Sequence, residues 1–155
     1  KSLDRLLFQR ATCFFGPPDL SDYTLEADVL TDGNRRIKSV VGLVNGRYAI
    51  YLVGNSNLLE ITSNHDRFKH SVPFTISANT WYRLKTKVVP GDGSSTPSRI
   101  LARAWQRDDP EPDGWTIELE HSAGHTQGAP GIFGFSPQAQ KAVYVDNIRI
   151  YGNEK

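Results

Sequence analysis

The sequence predicts an all-β domain, an antiparallel sandwich of about ten to eleven strands, from three observations. Residues 23–30, 81–89 and 115–120 alternate apolar and polar side chains with a period of two. Turns rich in Gly, Pro and Asn separate such segments at short spacing. No segment carries a sustained helical repeat with start and stop signals. Many short strands without an internal repeat favour two packed antiparallel sheets over a propeller or a solenoid.

The first half of the chain supplies six predicted strands. They cover residues 6–15, 23–30, 37–44, 47–53, 58–62 and 68–74. The second strand alternates most cleanly, and its predicted core face carries Tyr23, Leu25, Ala27 and Val29. Asn45-Gly46 separates two apolar runs, which is a strong signal for a tight β-hairpin. Cys13 lies in an apolar stretch of the first strand, and we expect a buried, inert thiol there.

The second half supplies five more predicted strands. They cover residues 81–89, 99–107, 115–120, 132–135 and 142–151. The loop at 90–98 is rich in Gly, Ser and Pro but is too short to link two domains. Trp115 alternates with Ile117 and Leu119, which predicts a core position for its indole.

Length and charge restrict the classes of function. The 155 residues predict a single domain over residues 1–155. The 18 basic and 17 acidic residues nearly cancel, so no nucleic-acid partner is expected. No apolar run approaches the ~18 residues of a membrane span, so membrane insertion is not expected. The chain begins with Lys1 and contains no Met, which we interpret as a domain excised from a larger protein.

The last predicted strand carries a single acid among apolar residues. Strict alternation places Tyr144, Asp146, Ile148 and Ile150 on one face. A carboxylate on an apolar face needs a partner, because burying it bare is costly. The partner can be a cation such as Ca²⁺ or backbone N–H groups, or a bulge can turn Asp146 outward.

Three segments support a resemblance to a known superfamily. They are R-A-W-Q-R-D-D-P-E-P-D-G-W at 103–115, N-T-W-Y-R-L-K at 79–85, and G-I-F-G-F followed by V-Y-V-D-N-I-R-I within 131–150. Together they resemble the concanavalin A-like lectin/glucanase superfamily, nearest to laminin G-like jelly rolls and glycoside hydrolase family 16-like domains. The opening F-F-G-P-P-D-L-S-D-Y-T-L-E-A-D-V at 14–29 is similar to the C-terminal sandwich domain of bacterial β-propeller proteins of the pyrroloquinoline-quinone type.

The resemblance implies a concanavalin A-like jelly roll of two curved antiparallel sheets. In that superfamily, sugars lie across the concave sheet, and a structural calcium is often ligated by an Asp of the closing strand, which Asp146 matches. It further implies an extracytoplasmic location, periplasmic or secreted. We therefore expect a non-catalytic accessory module of a larger extracytoplasmic protein that binds a glycan and contacts neighbouring domains of the same chain. The alternative among non-enzymes is a purely structural module that packs against its neighbours.

Catalysis is not expected, because the acids of the related glucanases are missing. Those enzymes carry E-x-D-x-x-E on one strand, whereas this chain has Glu26-Ala-Asp28-Val-Leu-Thr31 in an early strand. Retaining glycosidases need two carboxyl groups about 5–5.5 Å apart. A glycoside hydrolase-like enzyme would have to use non-standard acids, such as Glu26, Asp28 or those of the 108–114 loop.

Four residues form the candidate carbohydrate site. They are Trp81, Arg83, Arg103 and Trp105, aromatic and basic residues of two neighbouring predicted strands. Indoles stack on the apolar faces of sugar rings, and arginines bind hydroxyl groups. The competing interpretation is that Trp105 packs under the 108–114 loop and that the arginines form a solvated face. His121 and His125 have metal-like spacing, but they lie in a predicted loop, so zinc is not expected.

Overall fold

Two antiparallel sheets form the sandwich in the computed structural model, which describes residues 9–63, 67–136 and 141–153. The six-stranded sheet has the order β1-β10-β3-β4-β5-β6, and the five-stranded sheet has the order β11-β2-β7-β8-β9. The strands are β1 Gln9–Phe14, β2 Tyr23–Thr31, β3 Val40–Asn45, β4 Tyr48–Val53, β5 Leu58–Ser63, β6 Phe68–Pro73, β7 Trp81–Val89, β8 Ser98–Gln106, β9 Ile117–His121, β10 Gly131–Ser136 and β11 Val143–Gly152. The predicted antiparallel β-sandwich is confirmed, although the start of the first predicted strand lies outside the described residues.

The core lies between the two sheets and consists of alternate residues of the central strands. Those with no exposed surface include Leu25, Val29, Val41, Leu43, Ile50, Leu59, Ile61, Leu84 and Ile100. The predicted inner face of β7 is confirmed, since Tyr82, Leu84, Thr86 and Val88 are buried while the residues between them are half-buried. No helix among the described residues is long and apolar enough to cross a membrane.

The predicted hairpin forms one residue later along the chain. Asn45 pairs with Tyr48, so Gly46 and Arg47 are the two loop residues, and their φ angles of 55° and 71° suit a type I′ turn. Asn45 is fully buried. Its Nδ2 donates to the carbonyl oxygens of Tyr23 at 3.2 Å and Thr86 at 3.1 Å, which ties the two sheets together.

Two residues expected to be buried in the interior are not fully buried. Cys13 is exposed because β1 is an edge strand of the six-stranded sheet, so the prediction of a buried thiol is wrong. Trp115 is half-buried and precedes β9, which begins at Ile117. The predicted core position for this indole is also wrong, because the alternation of β9 does not extend back to residue 115.

A bulge in β11 corrects the predicted face of the closing strand. Asp146 pairs with Asp28 and Arg149 with Glu26, so the register shifts between them, where Asn147 has a φ of 51°. Ile150 therefore pairs with core-facing Leu25, while Asp146 is exposed on the outer side. The prediction that Tyr144, Asp146, Ile148 and Ile150 share one face is wrong because it assumed an uninterrupted strand.

Candidate functional site

Two grooves meet on the outer face of the six-stranded sheet. The first has a volume of about 690 Å³ and runs from Phe14 on β1 to His125 in the loop after β9. The second has a volume of about 460 Å³ and runs from Arg10 on β1 to Lys69 on β6. Tyr51 and Phe133 line both grooves. This face is therefore a continuous, indented surface with an aromatic pair between its two halves.

The aromatic pair depends on a glycine between the two rings. Tyr51 and Phe133 both pair with Gly42, one from each side, and their ring centroids are 4.6 Å apart at an interplanar angle of 37°. The two outer strands of such a triplet are roughly 10 Å apart, so the rings meet only because the middle strand has no side chain there. A Cβ at this position would lie 2.0 Å from the carbonyl oxygen of Ile50.

Polar groups flank the aromatic pair. Glu60 is only 8% exposed, and its carboxylate lies 3.0 Å from Nζ of Lys69. Burial raises the pKa of Tyr51, and the negative charge of Glu60 raises it as well. A hydrogen bond with Thr62 and the positive charge of Arg10 lower this pKa, but by less, so it lies above its usual value. Tyr51 thus keeps a neutral hydroxyl, so the centre of the face combines apolar rings with hydrogen-bonding groups.

A buried cluster of histidines holds the loop that borders the first groove. The Tyr48 hydroxyl lies 2.7 Å from Nδ1 of His121 and accepts the backbone N–H of His125 at 3.1 Å. Nε2 of His125 lies 2.7 Å from the hydroxyl of Ser63. Both imidazoles pack against the Tyr48 ring, which their spacing in a loop did not predict. Sequence reasoning missed this cluster because Tyr48 is remote from the histidines along the chain.

The four predicted sugar-binding residues lie on the opposite side of the molecule. Trp81, Arg83, Arg103 and Trp105 share the outer face of the five-stranded sheet, where Arg83 pairs with Trp105. Their aromatic rings are largely covered, because Arg107 lies 5.4 Å from the ring centroid of Trp81 and Trp105 is only 7% exposed. The structure thus brings these four residues together but shields their stacking surfaces.

Arg103 fastens the loop between β8 and β9 to this face. Its guanidinium lies 4.5 Å from the ring centroid of Trp115, donates to the Pro112 carbonyl oxygen at 2.6 Å, and pairs with Glu111. Burial raises the pKa of Glu111, but Lys85 and Arg103 outweigh it and hold that pKa below its usual range. The loop carboxylate is therefore engaged by two cations instead of projecting as a free acid.

A buried ion pair lies at the centre of the same face. Asp28 has no exposed surface. The Nε and Nη2 groups of Arg83 donate hydrogen bonds to Oδ1 and Oδ2 of Asp28, at 2.8 Å and 3.2 Å respectively. Nδ2 of Asn147 donates to Oδ2 at 2.7 Å. Burial raises the pKa of Asp28, but these hydrogen bonds and the charge of Arg83 together hold it below its usual value.

The surroundings of Asp146 bear on the predicted calcium site. Its Oδ1 accepts the backbone N–H of Asn147 at 2.8 Å, and the carboxylate of its neighbour Asp28 is already bound by Arg83 and Asn147. Within residues 9–63, 67–136 and 141–153, no three or more His, Cys, Asp and Glu side chains are grouped to hold a metal ion. These side chains do not form a calcium ligand set, and calcium at Asp146 stays a prediction.

Comparison with solved structures shows which fold this is. The exoplasmic/lumenal domain of VIP36, in its Ca²⁺/Man3GlcNAc-bound form, matches 98% of this chain and 77% of its own, with a TM-score of 0.65 and 8% identity. Sheep galectin-11 matches 94% of this chain and 98% of its own, with a TM-score of 0.53 and 3% identity. An endo-β-1,4-glucuronan lyase from the fungus Trichoderma reesei matches 94% of this chain and 74% of its own, with a TM-score of 0.52 and 11% identity.

Sequence comparison adds no closer relative. No protein-family model matches the chain, and no curated protein matches it. The structural likenesses are nevertheless extensive, since each of the three covers more than nine-tenths of this chain. They show that the chain has the concanavalin A-like jelly-roll sandwich fold.

Proposed function

We propose that this chain is a non-catalytic carbohydrate-binding module whose site is the grooved outer face of the six-stranded sheet. The observation that carries the proposal is the Tyr51–Phe133 pair, which lies between two joined grooves. Aromatic rings stack on the apolar C–H faces of sugars, and nearby polar groups bind the hydroxyls. Thr62, Glu60 and Lys69 are placed to do so. The lectin neighbours support the proposal, since VIP36 has the same fold and was solved with a bound oligosaccharide.

The composition of the groove supports binding over hydrolysis. Among the described residues, Glu60 is the one carboxylate that lines either groove, and it is paired with Lys69. A glycosidase mechanism needs a second carboxyl group across the scissile bond. We further propose, from the resemblance of the opening segment, that the module is an accessory part of a larger extracytoplasmic protein.

A broad glycan array tests the proposed function. We expect binding to at least one class of glycan and a loss of about tenfold or more in affinity for Tyr51→Ala, because its ring supplies the stacking surface. Tyr144→Ala is the matched control, since Tyr144 is 40% exposed on the other sheet and should leave binding unchanged. Arg103→Ala, from the four residues predicted on the five-stranded sheet, should also bind normally. Loss of binding in Arg103→Ala but not in Tyr51→Ala would contradict the proposed site. If the chain binds no glycan on the whole array, the result would favour a domain-packing role.

Calcium is tested by thermal denaturation with and without a chelator. Because Asp146 is exposed and bonds its own neighbour's N–H, we expect Asp146→Asn to cost about 1 kcal/mol or less. If this backbone hydrogen bond is the only interaction of Asp146, the melting temperature of the unmodified chain should not respond to added calcium. A calcium-dependent rise in melting temperature that disappears in Asp146→Asn would instead establish a structural calcium, because a ligand that binds only the folded state stabilises it in proportion to its concentration.

A further inference from the structure

We propose that the grooved face selects acidic glycans, with their carboxylate or sulfate groups bound by Arg10, Arg47 and Arg67. This inference rests on the proposed function and adds a ligand class to it. The reason is a local excess of cations. The described residues that line the two grooves include four basic side chains, Arg10, Arg47, Arg67 and Lys69, and one acidic side chain, Glu60.

The three arginines form no ion pair with any carboxylate of the described residues. Glu60 already pairs with Lys69 at 3.0 Å. Arg10, Arg47 and Arg67 are exposed and form no ion pair within the part of the chain that the structure describes. Because the whole chain carries a formal net charge of only +1, this excess is a property of the face and not of the composition.

The five-stranded sheet provides an internal contrast. Most basic residues of its outer face have carboxylate partners, in the pairs Arg83–Asp28, Lys85–Glu26, Lys85–Glu111, Arg99–Glu118, Arg103–Glu111, Arg107–Asp108 and Arg149–Glu26. An anionic ligand would have to displace an internal carboxylate there. On the grooved face it would displace only water and counterions.

The positions of the cations suit an extended ligand. Arg10 lies on the edge strand β1, 5.2 Å from the ring centroid of Phe135, and Arg67 lies just before β6 at the opposite edge. The six strands between these edges span roughly 24 Å. Arg47 lies in the β3–β4 turn at the end of the first groove. A polymer that crosses the face would therefore meet the aromatic pair at its centre and guanidinium groups at its periphery.

Guanidinium groups also favour the proposed ligand chemistry. Their planar donors match the two oxygens of a carboxylate or sulfate in a bidentate arrangement. Exposed single contacts of this kind are weak and are screened by salt, so selectivity must come from several contacts along one chain. The inference therefore predicts a preference that grows with the number of acidic sugars and weakens at high ionic strength.

The test compares one uronic acid oligosaccharide with the same oligosaccharide after reduction of its carboxyl groups, by isothermal titration calorimetry. A sulfated form of the neutral oligosaccharide is the third arm. We expect the acidic forms to bind about tenfold or more tightly than the neutral form, and this advantage to shrink between roughly 0.05 and 0.5 M salt. Whichever acidic form binds more tightly identifies carboxylate or sulfate as the preferred group.

Arginine variants locate the effect. Arg10→Ala and Arg67→Ala should each reduce the preference for the acidic form several-fold, whereas Arg99→Ala, an exposed arginine of the other sheet, should not. Equal binding of acidic and neutral forms that still depends on Tyr51 would overturn the inference and leave the proposed function intact. An acidic preference that disappears only in Arg99→Ala would overturn the inference as well. If the chain binds none of the three oligosaccharides and no glycan on the array, the result would count against the proposed function itself.

Discussion

Arg83→Ala is expected to destabilise the domain by about 3–5 kcal/mol, because it leaves the Asp28 carboxylate charged and buried, with Asn147 as its one remaining side-chain hydrogen-bond partner among the described residues. That loss is a large part of the roughly 5–15 kcal/mol by which domains are ordinarily stable. Urea denaturation at neutral pH measures it. The matched control is Arg99→Ala, whose pair with Glu118 is exposed and should contribute less than about 1 kcal/mol. Similar losses in the two variants would contradict this account of the face.

The same pair predicts how stability depends on pH. Burial raises the pKa of Asp28, but the hydrogen bonds from Arg83 and Asn147 lower it by more than burial raises it. The folded pKa therefore lies below the ordinary value of 3.8. Stability from a depressed carboxyl pKa is fully present above that ordinary value and is lost as pH falls through the folded pKa. Without Arg83, protonation of Asp28 relieves the buried charge. The stability difference between the unmodified chain and Arg83→Ala should therefore shrink progressively as the pH is lowered from neutral to below 3.8, and a constant difference would contradict the assignment.

Gly42→Ala is expected to cost about 3 kcal/mol, because the new Cβ meets backbone atoms that cannot rotate away. It would lie 2.0 Å from the Ile50 carbonyl oxygen and 2.9 Å from the Tyr51 Cα. The displaced strand would also separate the Tyr51 and Phe133 rings. Gly152→Ala is the control, since a Cβ there has no neighbour within 4 Å, and its effect should be close to zero. Chemical denaturation compares the two, and a Gly42→Ala variant as stable as Gly152→Ala would show that the close approach is not rigid.

Local alternation predicted the strands well, because each face of a strand meets a different environment. The inner residues of β7 are buried as predicted. In β2, however, the outward-facing residues are buried too, with Glu26 only 7% exposed and Asp28 fully buried. The cations that cover them come from β7 and β11, and the pairing of those strands with β2 is not visible in the local pattern. The sequence allowed for a bulge that turns Asp146 outward, but the local pattern did not show where in β11 such a bulge would lie.

The aromatic pair of the candidate site was harder to predict than the strands. Tyr51 and Phe133 are far apart along the chain, and they meet only because β10 pairs with β3 beside β4. One local signal was present, namely Gly42 inside an otherwise apolar strand, since an interior glycine often marks a close approach. The predicted tryptophans and arginines do share one face, as their alternation indicated. Their engagement by Glu111 and Asp28 depends on tertiary contacts that alternation does not encode.

The most direct measurement of the central claim is a backbone amide chemical-shift titration by NMR with the oligosaccharide that binds most tightly on the array. The proposed site predicts that perturbed amides cluster on β3, β4, β5 and β10, around Tyr51 and Phe133. Perturbations concentrated on β7 and β8, around Arg83 and Trp105, would contradict the claim and place the binding site on the five-stranded sheet.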